Sequence, residues 1–328
     1  MCGSVCLVIP AYNAATTLRQ CLGATAPLLE QGQLSRIIVV DDGSTDATPD
    51  IAAEFPVTCI RRDHAGRGSA RNVGWRAATE DVVWFLDADC VAEPDALEKL
   101  LPHLDDPKVG GVGGSFAGSA TQPLLASLIH EEIIERHRTM PRRVNFVATG
   151  NAAYRREVLE RVGGFDEAFL RAQDADLSYR VRAAGLELAF APNSRVCHAH
   201  ETRCRPYLKT QLQQGYWRFW LHLRHTAPAT GDSYSRLSDN AQPPLALLWL
   251  LSLPLLLAKG GWIAPAALTA LLAIAQVPMT LRIVSRTKEL RHLLFAPMSF
   301  IRAFARALGL CCAAIVWLTK RSPAPPRK

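Results

Sequence analysis

Up to about residue 200, short apolar runs alternate with stretches whose apolar positions recur at helical spacing. Residues 5–9, 37–40, 57–60, 82–86 and 146–148 have the length and the β-branched or aromatic content of buried strands. Between them, residues 16–29, 45–55, 69–78 and 94–104 read as helices, the second opened by a Thr-Asp cap. Strands alternating with helices predict an α/β sheet covered by helices. In such sheets ligands collect at the carboxyl ends of the strands, so the polar residues that end each run carry the chemical interest.

Beyond residue 242 the pattern changes. Residues 245–258 form a continuous apolar run, Lys259-Gly260-Gly261 interrupts it, and residues 262–281 continue without a charge. A bilayer core requires about 20 apolar residues, so the second run is long enough and the first is short. A hydrophobic soluble helical domain is the other reading of these runs; the unbroken uncharged length favours lipid. The next loop carries Arg282, Arg286, Lys288 and Arg291, which places it in the cytoplasm by the positive-inside rule. Residues 243–281 are then a hairpin. Residues 293–319 contain Arg302 and Arg306 at helical spacing and read as an interfacial or re-entrant helix. A basic tail closes the chain, its end also expected in the cytoplasm. Two spans are therefore expected rather than three. The resulting division is a domain at 1–225, a linker at 226–242 and a membrane region at 243–328.

Composition sharpens this picture. The 328 residues carry a formal net charge of +7. From position 243 onward there are eleven Lys or Arg and a single acid, Glu289, while the remainder holds 26 basic and 29 acidic residues. The basicity thus belongs to the last quarter, and a nucleic-acid-binding reading of the whole chain loses its support. Nine cysteines fall at irregular spacings, as free thiols of a reducing compartment would. The start of the chain lacks a basic segment followed by an apolar one, so no cleaved signal peptide is expected there.

Three acidic segments carry the candidate chemistry. Asp41-Asp42-Gly43-Ser44-Thr45-Asp46 follows a β-branched strand, and carboxylates there can accept hydrogen bonds from a base or a ribose; an Asx turn with a helix cap is the plainer reading. An apolar run enters Asp87-Ala88-Asp89, two carboxylates at i and i+2 on one side of an extended chain. Two such acids repel unless a cation or proton relieves them, and oxygen ligands suit Mg²⁺ or Mn²⁺. A strand end capped by acids remains the alternative. Gln173-Asp174-Ala175-Asp176-Leu177 opens a helical pattern, where first-turn acids complement the helix dipole.

Together these segments resemble the family-2 glycosyltransferases, whose catalytic domain has the nucleotide-diphospho-sugar transferase GT-A fold. The resemblance covers residues 4–225 and its elements come in family order: Ile9-Pro10-Ala11-Tyr12-Asn13, Val39-Val40-Asp41-Asp42-Gly43-Ser44-Thr45-Asp46, the Gly-rich Gly66–Gly74 segment, Leu86-Asp87-Ala88-Asp89, Thr149-Gly150-Asn151, Gly163-Gly164-Phe165-Asp166-Glu167 and Gln173-Asp174-Ala175-Asp176-Leu177. It implies a Rossmann-like α/β domain followed by transmembrane or amphipathic helices. It also implies inverting transfer from a nucleotide-diphospho-sugar to an acceptor hydroxyl. The basic loop puts the α/β domain on the cytoplasmic face of the inner membrane, and that location points to a lipid-linked or envelope glycan as acceptor. Pro10, Tyr12, Asp42, Asp87 and Arg71 would bind the donor. Asp89 would hold Mg²⁺ or Mn²⁺, with Asp87 and His198 as further ligands. Asp174 would be the general base, and Gly150, Asn151 and Gln173 would face the acceptor. Gln173 stands where the family usually has Glu. A catalytically silent sugar-nucleotide-binding scaffold and transfer to a polyprenyl phosphate are the alternative functions. Gln213-Gln214-Gly215-Tyr216-Trp217 only partly resembles the Gln-x-x-Arg-Trp signature of processive members, because Tyr216 replaces the Arg, which implies single-sugar transfer. The spacing of Cys197, His198, His200 and Cys204 fits no closed zinc site.

Overall fold

The computed structural model describes residues 3–118, 123–225 and 232–319, so the basic tail expected at the end of the chain lies outside the described residues. It divides into two units, the first made of residues 1–120 and 140–199, the second of residues 121–139 and 200–328.

The first unit is a mixed sheet between helices. In chain order it contains β1 (Val5–Ala11), α1 (Leu18–Thr25), α2 (Pro27–Glu30), β2 (Arg36–Asp41), α3 (Thr48–Ala53), β3 (Thr58–Arg61), α4 (Arg67–Ala77), β4 (Val82–Leu86), β5 (Cys90–Ala92), α5 (Ala96–Leu100) and β6 (Val109–Ala117). After the excursion of α6 (Leu124–His137) into the second unit come β7 (Arg143–Val144), β8 (Asn151–Arg155), α7 (Arg156–Val162), α8 (Gln173–Ala183) and β9 (Glu187–His198). The strands run in the order β3-β2-β1-β4-β8-β6-β9-β5, with β7 on β9. Neighbours from β3 to β4 are parallel, whereas β8 is antiparallel to both β4 and β6. The central strands are buried on both faces, which is why β1, β2 and β4 read as unbroken apolar runs. One core cluster packs Leu7, Ile9, Trp84 and Leu86 against α1, and the other packs Val8, Val83 and Phe85 against Trp75, Phe165 and Leu177.

Several sequence expectations shift. The helix at 16–29 breaks at Pro27, whose ring cannot continue it without cost, so two helices result. The helix expected from 45 starts at Thr48, because the Asp46 carboxylate accepts from the Thr48 amide and ends the preceding turn. Residues 146–148 are not a strand. Val147 is buried in a loop and its amide donates to Ser178 Oγ, which satisfies a backbone group that a ladder would otherwise take. Strand β6 gave no alternating signal because it is glycine-rich. A Cβ at Gly113 would press into Val147, so the missing side chains make room for the loop above.

The second unit contains α6, then α9 (Cys204–Arg224), α10 (Leu237–Ser252), α11 (Ile263–Thr287) and α12 (Phe295–Leu318). Three segments are long and apolar enough to cross a membrane by length and composition: Leu237–Leu257, Ile263–Thr287 and Leu290–Leu318. The third qualifies alongside the two expected. Inside the first, α10 begins at Leu237, ahead of the expected hairpin start at 243. Ion pairs tie α6 to all three helices at one end of the bundle. Arg136 meets Asp239 at the start of α10, Glu131 and Glu135 meet Arg286 at the end of α11, and Glu132 meets Arg302 two turns into α12. Deeper in the bundle, Gln276 donates to Gln242 and Trp249 to Thr269, polar links of the kind that hold helices together in lipid. Helices α9 and α12 run side by side. A Cβ on Gly215 would overlap the Arg306 carbonyl, and one on Gly309 would overlap the Leu212 carbonyl, so both glycines permit backbone contact.

Candidate active site

Because β1, β2 and β4 are parallel, their carboxyl ends emerge at the same edge of the sheet. That edge carries Tyr12, Asp42 and Asp87, each immediately after its strand. Pro10 lies inside β1, buried and opposite Val40, so it shapes the strand end rather than facing outward. Tyr12 is 47% exposed and its ring stacks on His64 at 4.1 Å between centroids. Asn13, at φ 48°, donates its backbone amide to the Ser44 hydroxyl and accepts from the Thr45 amide through its side chain, which joins the β1 and β2 ends.

Asp42 is almost fully buried. Its carboxylate accepts from the amides of Ala65 at 3.1 Å and Gly66 at 2.8 Å. His64 Nδ1 lies 2.9 Å away and Arg62 Nε 3.3 Å away. Asp42 thus anchors the loop that enters α4. Gly66 has φ 99°, a left-handed conformation that any larger residue would resist. On α4, Arg71 is 4% exposed. Its Nη2 donates to Asp87 Oδ1 at 2.6 Å, its Nη1 donates to Gln173 Oε1 at 3.3 Å, and its guanidinium stands 5.5 Å over the Phe165 ring. One buried cation therefore links the β4 end to the start of α8. Ser69 and Asn72 of the same helix donate to Glu167, fastening the Gly-Gly-Phe-Asp-Glu segment to α4.

Burial alone would raise the Asp87 carboxyl, but Arg71 and Arg67 outweigh it and hold it below its ordinary value. Asp89 moves the other way, raised by burial and by Asp87, with His198 opposing. His198 Nε2 lies 3.5 Å from Asp89 Oδ1. Asp89, Cys90 and His198 each offer a ligand atom within 4.8 Å of the others. The Cys90 thiol is pushed well up by burial and by the two carboxylates, so it remains protonated. A carboxylate oxygen and an imidazole nitrogen remain, a donor pair that suits Mn²⁺ or Mg²⁺ better than a soft metal. Asp87, by contrast, already spends Oδ1 on Arg71.

Asp174 is partly exposed in the first turn of α8, where Oδ1 accepts from the Ala175 amide. Dense surroundings raise its pKa, reinforced by Asp87 and opposed by that amide and by Arg71. The helix start alone predicts a low value, so tertiary burial overrides the local effect. Ala172, just before, sits at φ 60°, a left-handed geometry that costs roughly 1–2 kcal/mol outside glycine.

The three acceptor-side expectations divide. Gly150 borders Asp87, the Asp87 Oδ2 lying 3.5 Å from where a Cβ would stand. Asn151 is buried within β8, where it accepts from Trp84 Nε1 and donates to Ser194, so its side chain is used inside the fold. Gln173 is also buried, and its amide donates to the Phe169 carbonyl at 2.6 Å. His64 and Arg62 were missed, because neither lies in a patterned segment and their approach to Asp42 depends on the loop's path. His200 does not join His198: it meets His130 Nδ1 at 3.2 Å in the second unit.

The glycosyl transferase family 2 model matches residues 6–163. The pre-mycofactocin glycosyltransferase of Mycobacterium tuberculosis is 31% identical over 238 residues, covering 68% of this chain and 49% of that one. This chain therefore spans about half the length of that relative. The O-antigen chain rhamnosyltransferase WbaN of Salmonella anatum is 30% identical over 225 residues, 65% of this chain and 71% of its own. Among solved structures, the mannosyltransferase PcManGT from Pyrobaculum calidifontis, in complex with GDP-Man and Mn²⁺, superposes with a TM-score of 0.61 at 20% identity, over 95% of this chain and 88% of that one. The chain belongs to glycosyltransferase family 2 and its first unit has the GT-A fold.

Proposed function

We propose that this protein transfers a sugar from a nucleotide-diphospho-sugar to an acceptor hydroxyl, with inversion and one sugar at a time, at the cytoplasmic face of a membrane. The observation that carries the reading is the Arg71 bridge, which brings the donor-side Asp87 and the helix start bearing Asp174 around a single guanidinium.

In this reading Tyr12 offers its exposed ring to the base, and the Asp42-anchored loop shapes the nucleotide slot. Arg67 and Arg71 set a positive field where the diphosphate enters. Asp89 and His198 would hold Mn²⁺ or Mg²⁺, which when bound supplies Lewis-acid stabilisation of the charge developing on the leaving diphosphate. Asp174 takes the proton of the acceptor hydroxyl as its oxygen attacks the anomeric carbon from the opposite face. Its raised pKa makes it a better base than an ordinary aspartate. Gly150 keeps the space beside Asp87 open for the acceptor. Gln173 acts at one remove, by holding Arg71. This structural use of the amide supports reading the protein as an active enzyme rather than a silent scaffold.

The membrane placement rests on three features. The apolar helices have the required length, the end of α11 and the turn after it (282–292) are basic, and α6 gathers its ion pairs at that same end of the bundle. Helix α12 packs along the polar α9, which carries Lys209, Gln211, Gln214 and Arg218. That packing, with Arg302 and Arg306 on α12, supports an interfacial or re-entrant α12 and two spans, although α12 also has the length and apolarity of a third.

The test is a panel of UDP-, GDP- and dTDP-sugars, each with Mn²⁺ or Mg²⁺, scored for donor hydrolysis and thermal stabilisation. Hydrolysis of one donor, abolished by Asp174→Asn, supports the transferase. Stabilisation without hydrolysis by any donor would instead support a binding scaffold.

A further inference from the structure

We propose that Arg306 and Tyr207, between α9 and α12, form a binding site for a lipid-borne phosphate. The proposal rests on the membrane placement given above and goes beyond the transfer reaction.

The starting point is an imbalance of charge. Arg136, Arg286, Arg302 and Arg218 each meet a carboxylate within the second unit. Arg306 meets none among the described residues. Its Nε donates to Gln211 Oε1 at 2.9 Å and its Nη2 to Gln214 Oε1 at 3.0 Å, both neutral acceptors. The residues outside the description contain no Asp or Glu that could serve instead. In the surrounding cluster Glu132 and Asp239 face Arg136, Arg302 and Arg306, so one positive charge is left over. Arg306 is half-buried, and a guanidinium partly withdrawn from water beside neutral acceptors keeps its capacity for an anion.

A second observation points to the same place. Tyr207 is 6% exposed, and its hydroxyl has no hydrogen-bond partner among the described residues. Tyr207 lies one helical turn before Gln211 on α9, the residue that accepts from Arg306, so both face the same seam with α12. A buried hydroxyl lacking a partner is a cost that a ligand oxygen would remove. A phosphate answers both needs, since its oxygens accept from a guanidinium and from a phenol together.

The flanks identify the carrier. Tyr216, Trp217, Phe219 and Trp220 of α9 cluster with Trp317 of α12, an aromatic group of the kind found at headgroup level. Ile301, Leu308 and Ile315 are exposed on α12, an apolar surface that acyl or prenyl chains would cover. Gln211 and Gln214 explain why the charge stays available: a Glu at either position would neutralise Arg306 from within.

The experiment uses the full chain in detergent, with thermal unfolding followed against phosphatidylglycerol, a polyprenyl phosphate, phosphatidylcholine and inorganic phosphate. A saturable rise with phosphatidylglycerol or the polyprenyl phosphate, and none with phosphatidylcholine, is expected. A response to the polyprenyl phosphate alone identifies a monoester as the source, and a response to both identifies headgroup chemistry. Inorganic phosphate acting as well as either lipid would overturn the lipid-borne part of the proposal. Gln214→Glu, whose carboxylate can still accept from Arg306, should weaken the lipid response roughly tenfold or more, as should Tyr207→Phe. An unchanged response in Gln214→Glu, or no response in the parent protein, would overturn the site. Retention on pure phosphatidylcholine vesicles reports the membrane placement separately: a protein that is retained yet shows no phosphate response loses only this site.

Discussion

Gln173 accepts from Arg71 at 3.3 Å through its oxygen and donates to the Phe169 carbonyl at 2.6 Å through its nitrogen. Only an amide can do both. A carboxylate at this position would improve the attraction to Arg71 but set two oxygens against each other at Phe169. Gln173→Glu is therefore expected to destabilise the protein by about 1–3 kcal/mol, the cost of leaving a buried polar group unmatched. Chemical denaturation of the parent and the variant checks this, and an increase in stability would contradict the role given to the amide.

Asp174 is the group whose removal separates chemistry from folding. Asp174→Asn is expected to lower turnover by about 10²–10⁴-fold, the range of general-base catalysis, with donor affinity kept. Its folded pKa lies above the usual value of 3.8, so the folded state binds a proton more tightly than the unfolded chain does. Stability from this group therefore declines as pH rises through the window above 3.8, and the Asn variant lacks that decline. Comparing unfolding midpoints across that window reads the sign directly. The acidic limb of kcat/KM should likewise fall above the ordinary Asp range.

Asp89 and His198 stand 3.5 Å apart at the β4 and β9 ends. Asp89→Ala or His198→Ala is expected to abolish the extra nucleotide affinity conferred by Mn²⁺ while leaving metal-independent binding. Calorimetric titration of a nucleoside diphosphate with and without the ion measures both parts. Identical metal dependence in the variants would move the ion to other residues.

Glu132 is held between Arg136 and Arg302. Burial alone would raise its pKa, but the two guanidiniums bring it down to about 2. A depressed carboxyl contributes stability that is full above its unfolded value near 4.5 and is lost as pH falls through about 2. Glu132→Gln leaves two buried cations short of an anion, for an expected loss of about 3–5 kcal/mol. Adding Arg302→Gln should recover part of it, and a double-mutant cycle in detergent gives the coupling.

Much of the first unit could be read from residue order because its signals are local. Val82–Leu86 is apolar along its length and ends in Asp87, so strand and carboxylate announce each other. The long uncharged run that became α11 is legible for the same reason, since lipid demands length and hydropathy and little else. Asp42, Asp89 and Asp174 could be picked out, but their environments could not. The pKa of Asp174 turns on side chains from α4 and β4, and the hydrogen bonds of Asp42 come from a loop more than twenty residues away. Asn151 and Gln173 look like site residues in the sequence, yet their side chains face inward to partners that only folding supplies. Helix α6 carries no sign in its own residues that it belongs with the membrane helices; that followed from charges on three distant segments meeting Glu131, Glu132, Glu135 and Arg136. Periodicity and composition act over a few turns of chain and so were decided by the sequence itself. Electrostatic partnership acts through space, and only the tertiary structure chose which charges would meet.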